Sequence, residues 1–391
     1  MKHNFDEVHN RLNTFCTQWD YIEDRFNKKD LIPFSISDTD FTVPQPVYEK
    51  LKTVLDHQIY GYSRWNHHDF KGSICNYFNR KFNATVNENW VLYSPSVMYS
   101  ISALLRFLCN DNDKVATFNP MYDAFINVIE QNNRELVRIE LHKEDKTFKI
   151  DFEEFENKIK DCKIFLLCSP HNPTGRVWTS DELSQMIKCC QKYDVKIISD
   201  EIHGDIVMPG HKHTPMINYY NEYEEIYLVS SGSKTFNYPG LVGSYLIIPN
   251  KKINELFIHQ TRTKDFLNSV SIMGMYATMI SYNECDYYVN DLIEYTNKNM
   301  DYLENFISEN FKDIRFNKPD GTYLAWVDCT KVPFTAEEIQ NALVNVGGVG
   351  IMKGEVYGSE KYLRINCGCP LSKLKDGMSR FKKSMEYLYN K

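Results

Sequence analysis

Residues 164–176 read IFLLCSPHNPTGR, residues 195–203 read VKIISDEIH, and residues 226–237 read IYLVSSGSKTFN. Each stretch is a short apolar run that stops at polar residues, with Asn172, Asp200 and Lys234 just beyond the runs. Short runs with no polar alternation predict strands buried on both faces. Between the first two, Thr179 and Glu182 stand at the spacing of a capping box, which predicts a helix running to about Tyr193. Buried strands separated by helices imply a largely parallel sheet with helices on both sides. In such a sheet ligands sit beyond the carboxyl ends of the strands. Asn172, Asp200 and Lys234 are therefore expected to share one pocket.

The same alternation extends outward. Val91 to Tyr93 reads as a strand, and after Ser94-Pro95-Ser96 the run VMYSISALLRFLC reads as a helix. A strand is expected over 114–118, a helix over 125–132, and an edge or antiparallel strand over 241–248. The last hundred residues read differently. A long helix or helix pair covers 284–309, strands cover 313–316 and 322–327 around the turn at Lys318 to Gly321, a helix covers 336–346, a strand 362–366 and a final helix 371–388. The expected organisation is an α/β fold: a mainly parallel seven-stranded sheet over residues 46–285, a smaller α+β domain over 286–391, and an N-terminal segment, 1–45, packing with the small domain.

Composition agrees with a large globular protein. The chain has 391 residues, 42% hydrophobic and 25% charged, enough for two or three domains at roughly 150 residues each. Forty-five basic against 52 acidic residues leave a net charge of −7, which argues against a broad nucleic-acid footprint. No apolar run reaches the ~18 residues a membrane span needs, and MKHNFDEVHN lacks a signal-peptide core. The eleven cysteines form no CxxC and several sit in apolar runs, so they read as reduced thiols of a cytoplasmic protein. His203, His211 and His213 give only weak grounds for zinc, because His211 and His213 follow Pro209-Gly210 in a polar turn; no metal is expected.

The chemistry-bearing residues each admit a plain reading and a functional one. Lys234 follows the small polar turn Ser231-Gly232-Ser233, which can approach an anion closely. It is either solvated or an amine able to form a Schiff base with an aldehyde cofactor. It does not belong to a Walker phosphate loop, since the first glycine of that motif is missing. Asp200 closes an apolar strand and needs a partner there: a cap, a salt bridge or a protonated ring nitrogen. Asn172 lies between Pro170 and Pro173, which restrict its loop; it either starts the next helix through an Asx turn or donates to a ring oxygen. Ser96, Val97 and Met98 open a helix whose free N–H groups can bind phosphate. Tyr122 can lie flat on an aromatic ring, one candidate among 26 tyrosines.

Taken together, SDTDF at 37–41, IYGY at 59–62, NPMYDAF at 119–125, CSPHNPTGRVW at 168–178, ISDEIHGD at 198–205, SKTFNYPGL at 233–241 and YLRINCGCP at 362–370 resemble the pyridoxal-phosphate enzymes of aminotransferase fold type I. The closer likeness is to their MalY/PatB-like cystathionine β-lyase branch. The resemblance implies pyridoxal 5'-phosphate as cofactor, with Lys234 as the Schiff-base lysine, Asp200 on the pyridine nitrogen, Asn172 on the ring hydroxyl and Tyr122 stacked on the ring. It further implies Ser96, Val97, Met98, Ser231 and Ser233 around the phosphate, and His203 in a supporting role near the cofactor. Tyr62 is implied to reach the phosphate of a neighbouring subunit, hence a homodimer with shared active sites. Arg364 is implied to clamp the substrate α-carboxylate; Leu363 and Ile365 share one strand face and leave Arg364 on the other. Asp38, in SDTDF, completes the expected substrate-binding set with Arg364 and Tyr62.

The implied activity is carbon–sulfur β-lyase: α,β-elimination on L-cystathionine or a related L-cysteine S-conjugate, giving a thiol, pyruvate and ammonia. An aminotransferase of class I/II using the same lysine and aspartate is the alternative, followed by a regulatory protein-binding role on the same fold. Two positions bear on this choice. His203 stands where many aminotransferases have tyrosine, and Val242 where many place a phosphate-binding arginine; both favour the lyase branch. Two departures bear on the pocket: the branch commonly reads MWVADMDF where this chain reads FSISDTDF at 34–41, and it commonly has glycine in place of Ser96.

Overall fold

The computed structural model describes residues 2–267 and 269–391. Its centre is a sheet of β1 (Val91–Ser94), β2 (Lys114–Asn119), β3 (Glu135–Glu144), β4 (Thr147–Ile150), β5 (Ile164–Cys168), β6 (Lys196–Asp200), β7 (Ile226–Ser230) and β8 (Ser244–Ile247). Seven strands run in the order β1-β8-β7-β6-β5-β2-β3, and β4 is hairpinned onto β3 as an eighth. Strands β7, β6, β5, β2 and β3 are mutually parallel, whereas β8 is antiparallel to both of its neighbours. The expected strand over 241–248 is thus antiparallel but internal, and β1 takes the edge.

Alternation along β5 and β6 shows why these runs are apolar throughout. Ile164, Leu166, Cys168 and Ile198 pack with Val97, Ile101, Leu104 and Leu105 of helix α1 (Val97–Leu108). Phe165, Leu167 and Ile197 point the other way, onto Leu183, Met186, Ile187 and Cys190 of helix α2 (Ser180–Lys192). Each fully buried side chain of this size contributes about 1.5–3 kcal/mol. The two covering helices start where the sequence sets them: Ser96 caps α1, and Thr179 with Glu182 forms a capping box on α2. The β3–β4 hairpin had no clear signature, because this margin of the sheet is charged and partly exposed.

The C-terminal layer is a three-stranded antiparallel sheet of β9 (Leu324–Asp328), β11 (Tyr362–Asn366) and β10 (Met352–Lys353), with β11 in the middle. Helices α3 (Asp286–Asn310) and α4 (Leu371–Tyr389) share a core with it through Met300, Leu303, Leu363, Ile365, Met378 and Phe381. The strand expected over 313–316 is reduced to one bridge, Arg315 to Asp328. Ile314 and Phe316 are nevertheless buried, so the alternation signalled a half-buried segment and not a ladder. Ile32–Pro33 pairs in parallel with Val349–Gly350, which ties the N-terminal segment to this layer. Among the described residues no helix is long and apolar enough to cross a membrane. None of the eleven cysteines is paired, and eight are buried.

Candidate functional site

Asp200 is the last residue of β6, and Asn172 and Lys234 follow β5 and β7 by four residues each, so the parallel register brings all three to one end of the sheet. There they line a cavity of about 190 Å³, together with Ser96, Val97, Met98, Tyr122, His203, Ser231 and Ser233.

The charged groups of this cavity are displaced from their usual behaviour by burial. Asp200 is only 4% exposed. Burial pushes its carboxyl up to about 7, against the Ile202 amide, which donates to it at 3.1 Å, and the Lys234 charge. Lys234 is pushed down to about 8, again mainly by burial, with Asp38 and Asp200 opposing the shift and Arg364 adding to it. Its Nζ donates to Ser37 Oγ at 2.9 Å. His203 is pushed down to about 3 by burial and by the charges of Lys234 and Arg364, so it is neutral near pH 7. Its Nδ1 is buried without a hydrogen-bond partner among the described residues. An unpartnered buried ring nitrogen and a nearly isolated buried carboxyl are both costly unless a ligand completes them.

The cavity also takes in the start of α1 and the turn before Lys234. Ser96 has φ −156°, extended backbone open to any residue, and its Oγ accepts from the Tyr99 amide at 3.1 Å. The glycine commonly found at this place in the resembling branch is therefore not required by conformation. Val97 and Met98 are the first residues of α1, so their N–H groups lack intrahelical acceptors. Ser231 donates to the Gly243 carbonyl at 2.6 Å and accepts from the Ser233 amide at 3.1 Å, which holds the turn before Lys234.

Arg364 lies beside this cavity on β11 and is 4% exposed. It donates to Asn172 Oδ1 at 3.1 Å and to the Ser35 carbonyl at 2.8 Å, and its guanidinium stands 4.5 Å from the Tyr357 ring centroid. Its Nε has no partner among the described residues. No acidic side chain hydrogen-bonds it among the described residues, leaving a buried cation that suits an anionic ligand.

Besides Arg364, two expected residues lie outside the cavity lining. Tyr62 is 99% exposed. Asp38 borders an adjoining hollow, which Lys234 also borders; one carboxylate oxygen accepts from Arg11 at 2.5 Å and the other is buried without a partner. His203, His211 and His213 have separate surroundings: His213 contacts Glu201 at 2.9 Å, His211 faces Asp320 at 3.5 Å, and His203 lines the cavity. Sequence reasoning did not single out Ser37, Tyr323 or Tyr357. Ser37 lies inside the SDTDF stretch and so was within reach; the two tyrosines carried no local signal in a chain with 26 of them.

A family profile described as aminotransferase class I and II matches residues 29–381. Protein MalY of Escherichia coli (strain K12) is 37% identical over 96% of this chain and 97% of its own length. Cystathionine beta-lyase PatB of Bacillus subtilis (strain 168) is 32% identical over 98% of this chain and all of its own. Among solved structures, cystalysin from Treponema denticola, which contains a pyridoxal 5'-phosphate cofactor, superposes with a TM-score of 0.94 at 27% identity, covering 99% of this chain and 100% of that one.

Proposed function

The chain belongs to the aminotransferase class I and II family, and on that premise we propose that it is a pyridoxal-phosphate-dependent carbon–sulfur β-lyase acting on L-cystathionine or related L-cysteine S-conjugates. The observation that carries this reading is that Asp200 and Lys234 line one cavity together with the free amides of Val97 and Met98. The residues present fit the cofactor: a buried carboxyl short of partners for the ring nitrogen, an amine of lowered proton affinity for the aldehyde, and a helix start with hydroxyls for the phosphate. When bound, pyridoxal phosphate supplies the aldehyde that captures the substrate amine and the electron sink for the Cα electron pair.

The chain's own residues do the rest. Asp200, ionised against a ring-nitrogen cation, would keep that cation protonated. Asn172 would donate from its amide to the ring oxygen, its own oxygen accepting from Arg364. Tyr122 would pack on the ring. Arg364 presents its fork to the substrate carboxylate and so orients the Cα–H bond. Lys234, once free, takes the Cα proton as a neutral amine; such positioned proton transfer contributes about 10²–10⁴-fold. With a thiolate on the β-carbon, loss of that proton would expel it, the thiolate taking up a proton to leave as thiol, and hydrolysis of the remaining three-carbon enamine by one solvent water would give pyruvate and ammonia. His203 is buried neutral beside the ring site, and Val242 is 44% exposed and outside the cavity lining, so no arginine serves the phosphate from that position. Both features support lyase over transamination. Exposed Tyr62 supports a homodimer in which it reaches the partner's phosphate, and the unpaired, mostly buried cysteines support a cytoplasmic location. The division at residues 45 and 285 belongs to the same proposal.

The test is a panel of cysteine thioethers with the cofactor-loaded protein, scoring thiol and pyruvate separately from amino-acid formation out of 2-oxo acids. Release of thiol, pyruvate and ammonia is expected. Amino-acid formation without thiol would assign transamination instead.

A further inference from the structure

Residues 35–41 form no regular secondary structure, yet their carbonyls are held by side chains almost one by one. Arg364 donates to the Ser35 carbonyl at 2.8 Å, and Asn366 Nδ2 to those of Ile36 and Asp38 at 2.5 and 2.7 Å. Asn237 Nδ2 donates to those of Thr39 and Phe41 at 2.9 and 2.6 Å. The phenol of Tyr323, 0% exposed, donates to the Ser37 carbonyl at 2.7 Å and lies 3.4 Å from the Lys234 carbonyl. One rigid side chain thus ties the backbones of Ser37 and Lys234 together. Irregular backbone held this fully is a fixed wall and not a mobile loop.

On that wall the Ser37 hydroxyl accepts from Lys234 Nζ at 2.9 Å and makes no other hydrogen bond among the described residues. A lysine amine on four rotatable bonds carries about 2 kcal/mol of rotamer entropy and would otherwise sample many positions. With Nζ as donor, the lone pair of the neutral amine stays free.

We propose that Ser37 is a positioning residue for Lys234: its hydroxyl holds the amine whenever that nitrogen is not covalently attached, and so sets the place from which it meets a substrate's Cα proton. This rests on the reading of Lys234 as the base. Asp38 follows directly, and its charge favours the protonated amine, so the dock serves the nitrogen in both protonation states.

The experiment compares Ser37→Ala, Ser37→Cys and Ser37→Thr with the wild type. Cysteine keeps the volume with a weak acceptor, so a folding defect in the alanine variant does not decide the outcome. The first readout uses cofactor-free protein: the rate at which Lys234 attaches pyridoxal phosphate, followed by visible absorbance across pH. The Ala and Cys variants are expected to show a midpoint moved to lower pH, because the ammonium has lost an acceptor, and Thr to restore it. The second readout is Cα deuterium exchange, expected to fall on the order of 10–100-fold in Ala and Cys with KM unchanged. If the wild type never attaches the cofactor, the functional reading fails and the positioning role with it. If the wild type attaches it while Ala and Cys match it in both readouts, or Thr loses as much as Ala, the positioning role alone is overturned.

Discussion

Asp200 and Lys234 border the same cavity without hydrogen-bonding each other: the carboxylate accepts from the Ile202 amide, and the amine donates to Ser37. Asp200 is buried and Lys234 half-buried, and among the described residues neither hydrogen-bonds a group of opposite charge. The carboxyl is pushed up to about 7 and the amine down to about 8, so both titrate near neutrality. Opposite shifts produced by one environment are the usual mark of groups prepared for proton chemistry.

A stability signature follows for the cofactor-free protein. Asp200 has its folded pKa raised from 3.8 to about 7, so its stabilising contribution is complete below 3.8 and is lost as pH rises through about 7. Cofactor-free wild type is therefore expected to lose a few degrees of Tm relative to Asp200→Asn between pH 5 and pH 8. Parallel Tm profiles for the two proteins would show that the carboxyl is ordinary. In the loaded enzyme the same substitution is expected to slow Cα deuterium exchange severely.

Lys234→Ala removes both the group that attaches the cofactor and the proposed base. The variant should fold, lose the visible colour of the loaded protein, and lose turnover by at least ~10²-fold. Normal turnover would remove Lys234 from the mechanism.

Arg364→Ala should lower kcat/KM for substrates bearing an α-carboxylate by about 10²-fold, the scale of a lost charge-assisted bidentate contact. Activity toward the corresponding decarboxylated amine should change far less. Equal losses on both would mean that Arg364 acts through Asn172 and Ser35, which it also holds, and not on the carboxylate.

Gly377 lies within α4, where alanine normally gains ~1 kcal/mol from helix propensity. A Cβ there would overlap the ring of Phe34, which is 0% exposed. Overpacking of this kind costs about 1–3 kcal/mol, so Gly377→Ala should lower stability in urea unfolding despite the propensity. A stability gain would show that the N-terminal segment yields at Phe34.

The fold class and the central residues were legible because their signals are local. The runs at 164–168, 195–199 and 226–230 are apolar on both faces only if helices cover both faces, and a parallel sheet then places whatever follows each strand at one end. That logic assembles Asn172, Asp200 and Lys234 without any tertiary information. Capping chemistry at Thr179 located a helix start for the same reason: a cap is a contact between residues two or three apart. The position of β8 inside the sheet, the reduction of 313–316 to one bridge, and the dock on Ser37 were decided by the tertiary structure alone. Each depends on partners far apart in sequence: Val91–Ser94 beside Ser244–Ile247, Arg315 beside Asp328, Ser37 beside Lys234. Periodicity reports which way a side chain faces, but only the closed fold determines what stands opposite it.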